Sequence, residues 1–144
     1  MDVLREAWKY VRNNHVSSGV DEVSVEDVAR ESDAILGRLQ TDLMEWGYRP
    51  SPLKRVYIPK SNGKKRGLAI PTVRDKIVQA TVRMLIESIF ESSFEPNSFG
   101  FRPKKSANDA GKEVTKYLNY GCEHVIDADI MGCFDNIPRN GLME

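Results

Sequence analysis

Residues 53–75 read LKRVYIPKSNGKKRGLAIPTVRD, and the fold class turns on how this stretch divides. Leu53-Lys54-Arg55-Val56-Tyr57-Ile58 is rich in strand formers, Ser61-Asn62-Gly63-Lys64 has the chemistry of a tight turn, and residues 67–70 return as a second strand. A hairpin with a strongly basic tip is therefore predicted. Thr72 and Asp75 stand three apart, the spacing at which a hydroxyl caps a helix start and an acid faces its positive end. The helix beyond carries Ile77, Val78, Ala80, Val82, Met84, Leu85, Ile86, Ile89 and Phe90 around much of its circumference, so we expect it to be largely buried as the core. The class is α+β, with helices packed around a basic β-hairpin.

Towards the N-terminus, Leu4, Ala7, Trp8 and Val11 recur at helical spacing, which predicts an amphipathic helix ending near Asn13. Residues 14–21 have turn chemistry and no periodicity. Ser24 and Asp27 form a capping pair for a helix expected to run to about Trp46, with Val28, Ile35, Leu36, Leu39 and Leu43 as its buried stripe and Gly47 as its stop. Towards the C-terminus, Pro96, Gly100 and Pro103 make residues 94–103 irregular, and Ser106 with Asp109 caps a helix ending near Tyr120 and Gly121. Residues 123–130 then read as a short strand. Period-2 alternation places Asp127 and Asp129 on one face and Ile126, Ala128 and Ile130 on the other.

The chain has 144 residues, 40% of them hydrophobic and 29% charged, which excludes a disordered or collagen-like class and fits one domain or part of one. No apolar run is long enough to span a bilayer, so no membrane partner is expected and the expected location is the cytoplasm. Cys122 and Cys133 are too few for a disulfide framework and are read as thiols. The net charge is zero, which by itself speaks against a nucleic-acid partner. By segment it is not uniform: residues 49–83 hold ten basic side chains and only one acid, Asp75, between two acidic blocks. Such a block is a solvated face or an anion-binding surface.

Asp127, Asp129 and Asp135 offer oxygen ligands of the kind Mg²⁺ takes alongside substrate phosphates. They read equally as a strand-end acid, a helix cap and a solvated turn. Lys60 and Arg66 flank the hairpin turn and can converge on a triphosphate, the Arg as a fork and the Lys as a point charge, or be an ordinary charged loop tip. Tyr57, Phe99, Phe101 and Phe134 are candidates for base stacking, although aromatic residues are more often core. His15 and His124 have no partner at metal-ligand spacing. No GxxxxGK[ST], G-x-G-x-x-G or G-x-S-x-G occurs, which removes the P-loop, Rossmann and α/β-hydrolase sites.

Three further stretches carry a resemblance. Arg55 to Arg66 with Ile70-Pro71-Thr72-Val73-Arg74-Asp75-Lys76-Ile77-Val78-Gln79, then Ser98-Phe99-Gly100-Phe101-Arg102-Pro103, then Asp127-Ala128-Asp129-Ile130-Met131-Gly132-Cys133-Phe134-Asp135 resemble, in that order, the group II intron-type reverse transcriptases. The resemblance implies reverse-transcriptase fingers over residues 1–122 and the beginning of the palm over residues 123–144, a single partial domain and an incomplete polymerase right hand. It implies that Asp129 and the carbonyl of Ile130 bind catalytic Mg²⁺, with Mn²⁺ as a substitute, and that Lys60, Arg66 and Phe134 hold the deoxynucleotide, Phe134 as the gate against a 2′-hydroxyl. Asn14, Ser17, Ser18, Gly19, Arg55, Arg74 and Arg102 would bind the template and primer.

The partners so implied are an RNA template, a DNA or RNA primer, a dNTP and, further, intron RNA. No Tyr/Phe-x-Asp-Asp element occurs in the 144 residues, so we expect a shortened form or broken gene that does not polymerise alone and that self-associates through exposed apolar surface. The alternatives are a non-catalytic RNA-binding, maturase-like module that assists intron splicing, or an interaction domain with an incidental basic face.

Overall fold

The computed structural model describes residues 2–59, Gly63 and residues 65–142, with no side-chain account of Phe134, Asp135, Arg139 or Leu142. The chain forms two compact units, Met1–Phe94 and Glu95–Glu144.

In the first unit, helix α1 (Asp2–Asn13) buries Leu4, Ala7, Trp8 and Val11, the expected stripe, against α4 (Val73–Ser93). Val25 and Val28 of α2 (Val25–Arg30), Leu36 and Leu39 of α3 (Ser32–Met44), and Val73, Ile77 and Ala80 of α4 complete the core. Ser24 begins α2 with a full capping box: its hydroxyl accepts the Asp27 N–H at 3.1 Å, and the Asp27 carboxylate accepts the Ser24 N–H at 3.0 Å. The single helix expected from Ser24 to Trp46 is instead two. Glu31 sits between them at φ −124°, ψ 26°, and Ser32 and Asp33, residues that favour helix starts, open the second. The stop also differs from expectation: Trp46, not Gly47, takes the left-handed conformation (φ 56°), and the N–H groups of Gly47 and Tyr48 both donate to the Asp42 carbonyl.

Strands β1 (Lys54–Pro59) and β2 (Lys65–Ile70) pair antiparallel, with Tyr57 opposite Gly67 and Ile58 opposite Arg66. Of the expected turn, Gly63 alone is described, at φ 78°. The helices do not pack around this hairpin. No strand residue belongs to the core, which is purely helical. Helix α4 also departs from expectation, since its second half exposes Val82, Leu85, Ile86, Ile89 and Phe90. The reason is length: at about 1.5 Å per residue the 12-residue α1 covers little more than half of the 21-residue α4.

In the second unit, Ser106 caps α5 (Ala107–Asn119) through a capping box with Asp109. Residues 94–103 are irregular as expected, and the irregular segment runs on to 106. The strand expected over residues 123–130 is absent: this segment has no regular structure and is exposed throughout. Alternation alone does not make a strand, because its backbone groups need a partner, and among the described residues the one sheet is the hairpin of the first unit. A 3₁₀ turn (Cys133–Asn136) follows Gly132 in its left-handed conformation (φ 60°), and α6 (Arg139–Leu142) ends the described chain.

Candidate nucleic-acid and nucleotide site

Of the expected site residues of the first unit, Arg74, Ser17 and Gly19 lie at the first turn of α4, which one carboxylate organises. Asp75 is 3% exposed. It accepts the Tyr48 hydroxyl at 2.6 Å, the Ser51 N–H at 3.1 Å and the Thr72 hydroxyl at 2.8 Å, while the Thr72 oxygen accepts the Asp75 N–H at 3.2 Å. Ser51 lies just before β1 and Thr72 just after β2, so a single side chain ties both ends of the hairpin. Burial alone would push this carboxyl up, but the hydrogen bonds from Tyr48, Thr72 and Ser51, with the Arg74 charge, hold it below the ordinary carboxylate range. Burial and the same bond push the Tyr48 phenol well up.

The loop at residues 14–19 docks on this turn. Gly19 lies so close to the backbone that a Cβ there would stand 2.6 Å from the Thr72 Cα, which only glycine permits. Lys76 donates to the Ser17 carbonyl at 2.5 Å, and the Asn14 amide donates to the Tyr10 carbonyl at 2.8 Å. Burial pulls the Lys76 ammonium below its ordinary value, with Asp21 partly opposing. Arg74 pairs with Asp42 and lies 5.2 Å from the Tyr48 ring centroid, a cation–π arrangement.

Apart from Lys54, which is half-buried on β1, the described cations of the positive block divide into two sets. Arg49, Arg74, Lys76 and Arg83 are engaged with carbonyls, carboxylates or tyrosines of the first unit. Arg55, Lys65 and Arg66 are exposed on strands that contain no acid. Pairing fixes their faces: Arg55, Tyr57, Lys65 and Gly67 share one, and Lys54, Val56, Ile58, Arg66, Leu68 and Ile70 share the other. Lys60, expected beside Arg66, lies outside the described residues.

The second unit carries the remaining candidates. Arg102 donates to the carbonyls of Glu95 and Ser98 at 2.8 and 2.9 Å, knitting the irregular segment together. Asp129 and Ile130 lie in the exposed segment before the 3₁₀ turn, and Phe134 lies on that turn with its side chain outside the described atoms. The Asp129 carboxylate and Ile130 carbonyl are hard oxygen donors of the kind Mg²⁺ takes, and their exposure leaves room for water and phosphate ligands. They fit as part of such a shell, since no group of three acidic, His or Cys side chains able to hold a metal occurs among the described residues.

Sequence reasoning treated Asp75 as a cap and missed its second role as the hairpin anchor, because the partners lie 24 and 27 residues away. It also leaned towards aromatic residues as core, whereas Tyr57 is 58% and Phe101 fully exposed. The apolar alternation Val56, Ile58, Leu68, Ile70 was the available signal that Tyr57 faces the other way. Cys122 and Cys133 are free, as expected, and both are exposed. No helix among the described residues is long and apolar enough to cross a membrane.

Residues 58–144, more than half of the chain, match the reverse transcriptase (RNA-dependent DNA polymerase) family. The chain belongs to that family, and within it to the group II intron type. It is 42% identical over 109 residues to the group II intron-encoded protein LtrA of Lactococcus lactis subsp. cremoris, covering 75% of this chain and 18% of the relative. It is 40% identical over 130 residues to protein YkfC of Escherichia coli (88% and 34%), and 34% identical over 132 residues to the COX1/OXI3 intron 2 protein of Saccharomyces cerevisiae (92% and 15%). The chain thus spans at most about a third of the length of these curated relatives.

Proposed function

We propose that this chain is the fingers (residues 1–122) and the beginning of the palm (residues 123–144) of an RNA-directed DNA polymerase, where it grips template, primer and incoming deoxynucleotide. The observation that carries this reading is the division of cations: Arg74 and Arg83 are paired with acids and Arg49 and Lys76 are bonded to carbonyls of the first unit, while Arg55, Lys65 and Arg66 on the hairpin strands stay exposed with no acid on either strand. Such a surface attracts phosphates.

In this reading Arg66, with Lys60, clasps the triphosphate, its planar fork donating to two phosphate oxygens at once. Arg55, Arg74 and the loop of Asn14, Ser17, Ser18 and Gly19 in the first unit, and Arg102 in the second, contact the template and primer, with intron RNA as a further ligand. Phe134 excludes a ribose bearing a 2′-hydroxyl. Asp129 and the Ile130 carbonyl would hold Mg²⁺, or Mn²⁺ in its place, which when bound activates the primer hydroxyl and neutralises charge on the phosphates. With one acidic ligand in place, the 144-residue chain alone does not extend a primer.

Fluorescence anisotropy with a recessed RNA–DNA template–primer tests this. Affinity is expected to fall steeply between about 50 and about 200 mM salt. Salt-independent binding, or none, overturns the proposal.

A further inference from the structure

The hairpin has a second face that the proposed nucleotide grip does not use. Arg66 belongs to the face shared with Val56, Ile58 and Leu68. On the opposite face Tyr57 lies across from Gly67, and its phenol ring lies against that residue, a ring carbon 3.6 Å from where a Cβ on Gly67 would stand, which is ordinary van der Waals contact. One side of the ring is thereby supported, and the residue remains 58% exposed. Arg55 lies two residues before it on the same strand, and Lys65 lies on the diagonal across the pair. The two cations thus stand at either end of the ring, about 13 Å apart along the strand at roughly 3.3 Å per residue. Neither strand contains an acid, and neither cation forms an ion pair among the described residues.

A supported aromatic ring between two unneutralised cations is suited to an unpaired nucleic-acid strand: the ring stacks on a base while the cations meet the phosphates on either side. A blunt duplex offers the phosphates with its bases paired and stacked on one another, only its two end faces being free. We infer that the Arg55–Tyr57–Lys65 face of the hairpin is a stacking platform for unpaired RNA, separate from the Arg66 face. The inference rests on the proposed nucleic-acid function, in which Arg55 already meets the template and primer, and adds Tyr57 and Lys65 to that contact as a surface for an unpaired strand.

The test is anisotropy of the purified chain with a fluorescent oligouridylate of about 12 nucleotides, and with a blunt RNA duplex of equal length. Tyr57→Ala is expected to weaken single-strand binding about 10-fold and Tyr57→Phe to leave it nearly unchanged, with duplex binding unaffected by either. The Arg55→Gln/Lys65→Gln pair is expected to lower the slope of log affinity against log salt by about 1.4, roughly 0.7 for each phosphate contact. Equal affinity of Tyr57→Ala and wild type for the single strand overturns the inference and leaves the proposed function standing. So does an equal loss on strand and duplex. A wild-type chain that binds neither RNA overturns both.

Discussion

The Tyr48 hydroxyl donates a 2.6 Å hydrogen bond to the Asp75 carboxylate, joining the segment that leads into the hairpin to the first turn of the helix that follows it. Asp75 also accepts from Ser51 and Thr72, so its removal orphans three donors at once. Each buried donor left unsatisfied costs about 1–3 kcal/mol. Asp75→Ala is expected to destabilise the chain by about 3 kcal/mol and Tyr48→Phe by about 1 kcal/mol, read as shifts in the urea midpoint. Equal, small effects of both would show that the hairpin is held by something else.

The same carboxylate sets an acid limit. Its folded-state pKa lies below the ordinary value, so in the window between them the unfolded chain binds more protons and stability rises with pH. The contribution is complete above the unfolded carboxylate value, about 4, and is lost as pH falls through the folded value. Asp27 and Asp109, lowered mainly by the Ser24 and Ser106 hydroxyls, act in the same direction. The melting temperature of the wild type should drop below about pH 4, and Asp75→Asn should show a shallower drop from a lower start.

Gly19 permits no side chain. Its Cβ would stand 2.6 Å from the Thr72 Cα, against backbone that cannot rotate aside. Gly19→Ala is expected to undock the loop at residues 14–19 at a cost of about 1–3 kcal/mol, seen as faster proteolysis at residues 14–21. Lys76→Met, which removes the bond to the Ser17 carbonyl, should loosen the same loop with a smaller loss of stability.

The metal proposal can be checked without turnover. Fe²⁺ bound in place of Mg²⁺, with ascorbate and peroxide, generates hydroxyl radicals that cut the backbone near the ion. Cleavage is expected close to residues 127–135 and should disappear in Asp129→Asn. Cuts confined to other segments would remove Asp129 from the metal site.

The helical half of the fold was legible because its determinants are local. Leu4, Ala7, Trp8 and Val11 spell a stripe, and Ser24, Thr72 and Ser106 each accept the N–H three residues on, as their spacing implied. The hairpin followed from its strand formers and turn residues. What stayed hidden depends on partners remote in sequence. The break at Glu31 is the exception, since Ser32 and Asp33 were a local signal, masked by the apolar stripe that runs through it from Val28 to Leu43. The exposed half of α4 and the unpaired residues 123–130 had apolar patterning with no surface in either unit to bury it. In the candidate site, Arg74 was legible as a cation, but its pairing with Asp42, 32 residues away, was not.

Among the described residues the helical core closes without any residue of the hairpin strands, and Asp75 ties the hairpin to it at both ends. Strand length and side-chain chemistry between Ser51 and Thr72 are therefore free to change without disturbing the folding of the helices. A lineage of such chains can retune its grip on a nucleic acid by rewriting about twenty residues, so long as the hinge carboxylate and its three donors are kept.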